Sequence, residues 1–125
     1  MAKLEVDGKG AYIYPRMNKT VKRKWLKALR DGSFDQSEGC LIDVYGSQGE
    51  AAYCCLGVLM CVLHPDLEGD YNAIKKRGED HSNSMPSNRI LKEAGVHRMA
   101  AGDLATLNDD GLSFKKIAQW IEKRL

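Results

Sequence analysis

The sequence predicts a single α+β domain, predominantly helical, in which a small β-hairpin feeds a buried central helix and amphipathic helices pack around it. Three observations carry that prediction. Residues 51–63, Ala-Ala-Tyr-Cys-Cys-Leu-Gly-Val-Leu-Met-Cys-Val-Leu, form the long apolar run of the chain, without a charge and with three of the four cysteines. Two other stretches, 19–30 and 114–125, repeat apolar residues at helical spacing with charges between them. Turn residues at Gly46-Ser47-Gln48-Gly49 separate two short strand-like segments ahead of the apolar run.

The totals narrow the class. A chain of 125 residues fits one domain, and 43% apolar against 29% charged residues gives both a core and a solvated surface. The net charge of +2 is too small for bulk nucleic-acid binding, so an anion site has to be local. The opening Met-Ala-Lys-Leu-Glu-Val-Asp lacks the apolar stretch of a signal peptide, and four cysteines without one read as reduced thiols. A cytoplasmic location is therefore expected. The apolar run of residues 51–63 is too short for a bilayer, which takes about 20 apolar residues, so no membrane partner is expected.

Residues 1–16 read as an appendage to a globular domain at 17–125. They make either a small hairpin around Asp7-Gly8-Lys9-Gly10, ended by Pro15, or a lightly docked or disordered leader. Asn18 is the expected N-cap of a helix over about 19–30, with Gly32 as its stop. Val21, Trp25, Ala28 and Leu29 share one face, and Lys19, Arg23, Lys27 and Arg30 fall roughly opposite. From Arg16 to Arg30 there are seven basic residues and no acidic one. That pattern reads first as a solvated face, with an anion-binding stripe without acidic partners as the sharper alternative.

Residues 31–39 form a polar connection anchored by Phe34. Strands follow at about 40–45 and 51–54, delivering the chain into the central helix at about Cys55; Pro65 ends that helix. Asp66 to Met85 lacks clear periodicity, apart from a short helical turn near Tyr71–Lys76. Connections of that length are lids, binding loops or disorder. Pro86 suits the first turn of a helix ending at Gly95. Another short helix or turn lies within 96–107, and Asn108-Asp109-Asp110-Gly111 makes a turn. Ser113 caps the last helix, whose stripe is Phe114, Ile117, Ala118, Ile121 and Leu125. Trp120 lies off that stripe, exposed or at a subunit contact.

Chemistry is sparse. Of Cys40, Cys54, Cys55, Cys61, His64, His81 and His97, only Cys61-x-x-His64 approaches the paired spacing of a zinc site, so no metal is expected. Buried cysteines acting as small hydrophobes account for the pattern better. Cys55 near a helix start has the position of an activated thiol, yet no histidine is placed by sequence as its base. Neither phosphate loop signature is present. A helix start near Cys54–Gly57 offers an anion seat, against which Gly57 reads more simply as a packing residue. Asp80, His81, Asp109 and Asp110 fall in separate polar turns, which attract aspartate in any case. No cofactor is expected, and enzyme activity is left open, with the balance against it.

Three blocks carry a resemblance. They are Trp25-x-x-Ala28-Leu29-Arg30-x-Gly32-x-Phe34-x-Gln36-x-x-Gly39-x-Leu41, then Tyr53-Cys54-Cys55-Leu56-Gly57-Val58-Leu59, then Leu107-Asn108-Asp109-x-Gly111-x-Ser113-Phe114-x-x-Ile117-Ala118-x-x-Ile121-Glu122. Together, over residues 17–125, they resemble a family of small proteins of tailed bacteriophages and prophages. That resemblance brings no active site, but small phage proteins often interfere with host processes. It implies, by similarity of type, a protein of the bacterial host cytoplasm that sequesters a small nucleotide immune signal in a homo-oligomer, countering host defence. On that reading Arg30 pairs with a phosphate, Gln36 hydrogen-bonds a base or ribose, Tyr53 stacks on the base, and Asn108 and Asp109 hold ribose hydroxyls. The alternatives are an enzyme that cleaves such a nucleotide through His81 or Cys55, and a regulatory protein that binds host DNA or a host protein through residues 19–30. Nucleic acid ranks below the small nucleotide as a partner.

Overall fold

The computed structural model describes residues 4–125 and is an α+β fold of six α-helices and two small sheets. Of the described residues 52% are helical, so helices set the architecture, as expected. The central element is helix α2, Cys55–Leu63, in which every residue from Cys55 to Cys61 is buried. Its sequence has no polar face, so it must be surrounded: α1 (Lys19–Arg30), α4 (Asn88–Ala94) and α5 (Arg98–Asp109) pack on it. Helix α6, Phe114–Arg124, closes the far side of α1 through its stripe Phe114, Ile117, Ala118 and Ile121.

Two close approaches hold this packing. The Trp25 indole on α1 is fully buried and donates from Nε1 to the Cys55 carbonyl at 2.9 Å, tying α1 to the first turn of α2. Gly57 faces the backbone of Leu41, and a Cβ there would overlap the Leu41 carbonyl oxygen. Gly57 is thus a packing residue, which explains why the apolar run contains a poor helix former.

The hairpin ahead of α2 is present. Strand β4 (Ile42–Tyr45) pairs antiparallel with β5 (Glu50–Tyr53), with Asp43 opposite Ala52. Beyond the expected hairpin, residues Asp35–Gln36 form a strand β3 on the other side of β5, parallel to it, with Gln36 beside Tyr53. Sequence periodicity has no purchase on a two-residue strand. Phe34 anchors this connection, its ring edge-on to Tyr53 at 5.1 Å.

The stretch 66–85 is more ordered than its composition suggests. It contains a 3-10 turn at Pro65–Leu67, helix α3 at Tyr71–Lys76 and a second 3-10 turn at Glu79–His81, and it buries Leu67 and Ile74. Asn83 fastens it to the free edge of β4: its amide donates to the Ile42 carbonyl at 2.7 Å and accepts from the Ile42 N–H at 3.1 Å. A side chain that mimics a strand partner blunts an open edge. The segment is packed structure.

Other boundaries shift by physical causes. Pro86 lies outside α4, in a bridge with Gly78, and Ser87 caps the helix instead. Helix α5 is longer than expected and takes in Asn108 and Asp109, because those two side chains bond to distant backbone groups and leave the helix intact to Asp109. Asn18 caps α1 and Ser113 caps α6, as the sequence indicates. Gly95, left-handed at φ 73°, ends α4 so that the Ala94 carbonyl accepts from the Asn18 N–H at 3.0 Å.

Within the appended segment, β1 (Glu5–Val6) and β2 (Tyr12–Ile13) form the hairpin alternative, around a turn in which the Asp7 carboxylate accepts from the Lys9 and Ala11 N–H groups. Residues 1–3 of that reading lie outside the described residues. The segment is docked through Tyr14, which is buried, donates to the Asp103 carboxylate and sits 6.0 Å from the Trp120 ring. Burial and that carboxylate push the Tyr14 phenol well above its usual pKa. Trp120 is accordingly half-buried between Tyr14 and the Arg124 guanidinium, which lies 5.7 Å over its ring. Its place off the α6 stripe is explained by the docked hairpin.

Candidate anion-binding groove

Lys19, Lys22, Arg23, Leu26, Lys27 and Arg30 recur at the i, i+3, i+4, i+7, i+8 and i+11 positions of α1, which places them on one helical face. With Glu122 of α6 they line an open groove of about 490 Å³. Five cations and one carboxylate surround a single apolar side chain, Leu26, which is half-buried. The face opposite is the apolar stripe of Trp25, Ala28 and Leu29, so burying that stripe against α2 and α6 necessarily turns the cations outward.

At the C-terminal end of the groove the Arg30 guanidinium donates to the Glu122 carboxylate. That guanidinium is the main reason the Glu122 carboxyl is held below its ordinary pKa. Lys22 donates from Nζ to the Glu122 main-chain carbonyl at 3.2 Å. Lys19, Arg23 and Lys27 form no ion pair among the described residues. Three adjacent cations without acidic partners raise the local potential and attract anions.

A larger cleft, about 610 Å³, lies between residues 79–85 and α5. The one cation among the described residues that line it, Arg98, is already neutralised by Glu79, at 2.6 and 2.7 Å to the two carboxylate oxygens, and is further bonded to Asn88. Asp80 and Asp103 leave the remainder acidic. Size favours that cleft, but charge favours the α1 groove, and for an anionic ligand charge decides.

Of the five residues singled out in the sequence, Arg30 lines the groove, Gln36 and Asn108 meet at a junction elsewhere, and Asp109 and Tyr53 each hold a separate backbone group. Asn108 is fully buried. Its side-chain oxygen accepts from Gln36 Nε2 at 3.1 Å and from the Cys55 N–H at 3.0 Å, and its Nδ2 donates to the Ser37 carbonyl at 2.6 Å. Gln36 also donates to the Leu112 carbonyl at 2.8 Å and accepts from the Phe114 N–H at 3.2 Å. Asp109 accepts from the Gly39 N–H at 2.7 Å, and the Tyr53 hydroxyl accepts from the Gly69 N–H at 2.7 Å. These bonds join β3, α2, α5 and α6. No hydrogen bond links the four to Arg30 among the described residues.

The anion seat expected at the start of α2 is closed by the same junction. The Cys55 N–H is taken by Asn108 and the Gly57 N–H by the Cys54 sulfur at 3.4 Å. Sequence reading missed Lys22, Leu26 and Glu122 as groove residues. Extending the i, i+3, i+4 ladder from Lys19 finds the first two; Glu122 requires knowing that α6 packs on α1.

The thiols behave as core residues. Burial pushes Cys54 up to about 11 and Cys61 to about 12, and raises Cys55 well above its ordinary value. The thiolate, not the thiol, is the nucleophile, so these three are inert. Cys40 is half-exposed. In the native protein a thiol-reactive disulfide reagent should therefore label Cys40 alone, with the other three reacting only after denaturation. Fast labelling of two or more native thiols would contradict the packing around α2.

A basic groove on a compact α+β scaffold defines a candidate anion-binding protein, and no helix among the described residues is long and apolar enough to cross a membrane. The chain belongs to the family described as a domain of unknown function, DUF8296, which it matches over residues 17–91. That span holds the whole of α1 and the Tyr53–Leu59 block and leaves the Leu107–Glu122 block outside it. No curated protein and no solved structure matches the chain.

Proposed function

We propose that the protein binds a small phosphorylated nucleotide in the groove between α1 and α6 and releases it unchanged. The observation that carries this reading is the face of five cations around Leu26. Lysine and arginine supply charge and directed donors for phosphate, arginine in bidentate geometry. Leu26 gives a base or ribose an apolar surface. Arg30 keeps the phosphate role expected of it, whereas Gln36, Tyr53, Asn108 and Asp109 serve the fold that presents α1. The resemblance to small phage proteins supplies the setting: a homo-oligomer in the bacterial host cytoplasm that withdraws a nucleotide signal of immunity from its receptor.

Release without conversion is favoured by what surrounds the groove. Among the described residues no cysteine or histidine lines it. His64 is paired with Glu93, the Nδ1 of His81 lies 3.0 Å from the Lys76 carbonyl, and the Nδ1 of His97 accepts from the Met99 N–H. A second reading, a nucleic-acid backbone laid along α1, is favoured by the length of the stripe, about 17 Å for 11 helical steps.

The test is thermal unfolding against a panel of cyclic and ADP-ribose-derived nucleotides, with the bound species recovered by heating and identified by chromatography. A ligand at 100 times its Kd adds about 2.7 kcal/mol. The expected result is a shift with intact ligand, weakened roughly tenfold in affinity by Arg30→Ala or Lys27→Ala, as for loss of one charge-assisted bond. Binding to DNA that falls steeply with salt would select the second reading. No shift with any nucleotide, or a shift untouched by groove substitutions, overturns the proposal.

A further inference from the structure

We propose that Glu122 is an internal anion occupying the Arg30 end of the groove, so that a ligand must displace it and the affinity of the groove for anions is held down. This rests on the reading of the groove as an anion site and adds an autoinhibitory contact to it.

Among the described residues Glu122 is the single acid that lines the groove, and its carboxylate is bonded to Arg30. The two side chains are 41% and 57% exposed, so water already screens the pair and breaking it costs little. The main chain of Glu122 is separately held by Lys22 through its carbonyl. The carboxylate can therefore swing away by side-chain rotation while α6 stays in place.

An incoming anion has to give Arg30 more than Glu122 gives. A ligand carboxylate offers the same single charge and two oxygens, yet it surrenders translational and rotational freedom that Glu122, fixed to the chain, does not. It loses that exchange. A phosphate group brings roughly −1.5 to −2 charges and three acceptor oxygens, which also engage Lys27 one turn away. It wins the exchange. The displaced Glu122 remains near the bound phosphate and repels it, so Glu122 lowers the affinity of the groove for every anion, and most for the more highly charged.

The experiment compares wild type, Glu122→Gln and Asp66→Asn by calorimetric or NMR titration with pyrophosphate and with succinate. Asp66 is exposed, lies outside the groove and controls for the change in net charge. Glutamine retains an acceptor for Arg30, and the pair is exposed, so melting temperature should hardly change. In Glu122→Gln, pyrophosphate should bind about two- to fivefold tighter, the range of a surface ion pair, and succinate should gain by no more than that. Asp66→Asn should match wild type. Unchanged pyrophosphate affinity in Glu122→Gln, or equal tightening in Asp66→Asn, overturns the role of Glu122 while leaving the groove as an anion site. Failure of both wild type and Glu122→Gln to bind pyrophosphate overturns the groove reading itself, and this role with it.

Discussion

Replacing Asn108 by alanine should destabilise the protein by about 3–5 kcal/mol, because two buried backbone groups lose their partners at about 1–3 kcal/mol each and a third bond is lost beside them. The orphaned groups are the Cys55 N–H and the Ser37 carbonyl; Gln36 keeps its bond to Leu112. For a chain of this size each kcal/mol moves the melting temperature by roughly 3–6 °C, so a drop of about 10 °C or more is expected. Asn108→Asp should not rescue it. Aspartate keeps an acceptor for Cys55 but has no donor for Ser37 and places a carboxylate against that carbonyl. Calorimetry or a denaturant melt reads the result directly. An Asn108→Ala protein of wild-type stability that had lost nucleotide binding would instead make Asn108 a ligand residue.

The second large effect is expected at Gly57. Alanine there drives its Cβ into the Leu41 carbonyl oxygen, which also accepts from the Cys54 N–H at 3.3 Å. Overpacking usually costs about 1–3 kcal/mol, relieved by movement of neighbouring side chains. Here the obstacle is backbone, in the segment that leads into the β4–β5 hairpin. Gly57→Ala should therefore lie at or above the top of that range, or fail to accumulate as folded protein. Gly102 in α5 supplies the contrast, since a methyl group at that position would meet nothing within 4 Å. Gly102→Ala should stabilise by about 0.5–1 kcal/mol through helix propensity alone. Similar melting temperatures for the two variants would show that Gly57 is not pressed against Leu41.

Much of the secondary structure was legible because it is local. The Asn18 cap, the α1 stripe, the turn at 46–49, the start of α2 at Cys55 and the Ser113 cap are all spelled in neighbouring residues. The elements that were not legible depend on distant partners. Strand β3 exists only because Tyr53 lies alongside Gln36. The stretch 66–85 is ordered by the fit of Asn83 to the edge of β4, some forty residues earlier in the chain.

The candidate site divides in the same way. That α1 carries apolar residues on one side and unpaired cations on the other is written in the order of its residues, since helical periodicity follows from backbone geometry alone. So is the burial of residues 52–61, because a run without charge has no face to leave in water. Which polar residues are free to act depends instead on how the helices and strands pack. Gln36, Tyr53, Asn108 and Asp109 have the chemistry of ligand contacts, yet burying the start of α2 and the β3 connection left backbone groups that needed hydrogen-bond partners, and these side chains supply them. Glu122 looks like one exposed acid of α6, and it acquires a role because α6 packs beside α1 and brings its carboxylate to Arg30. Local periodicity sets what each face can offer; long-range packing sets which groups remain unsatisfied and therefore available.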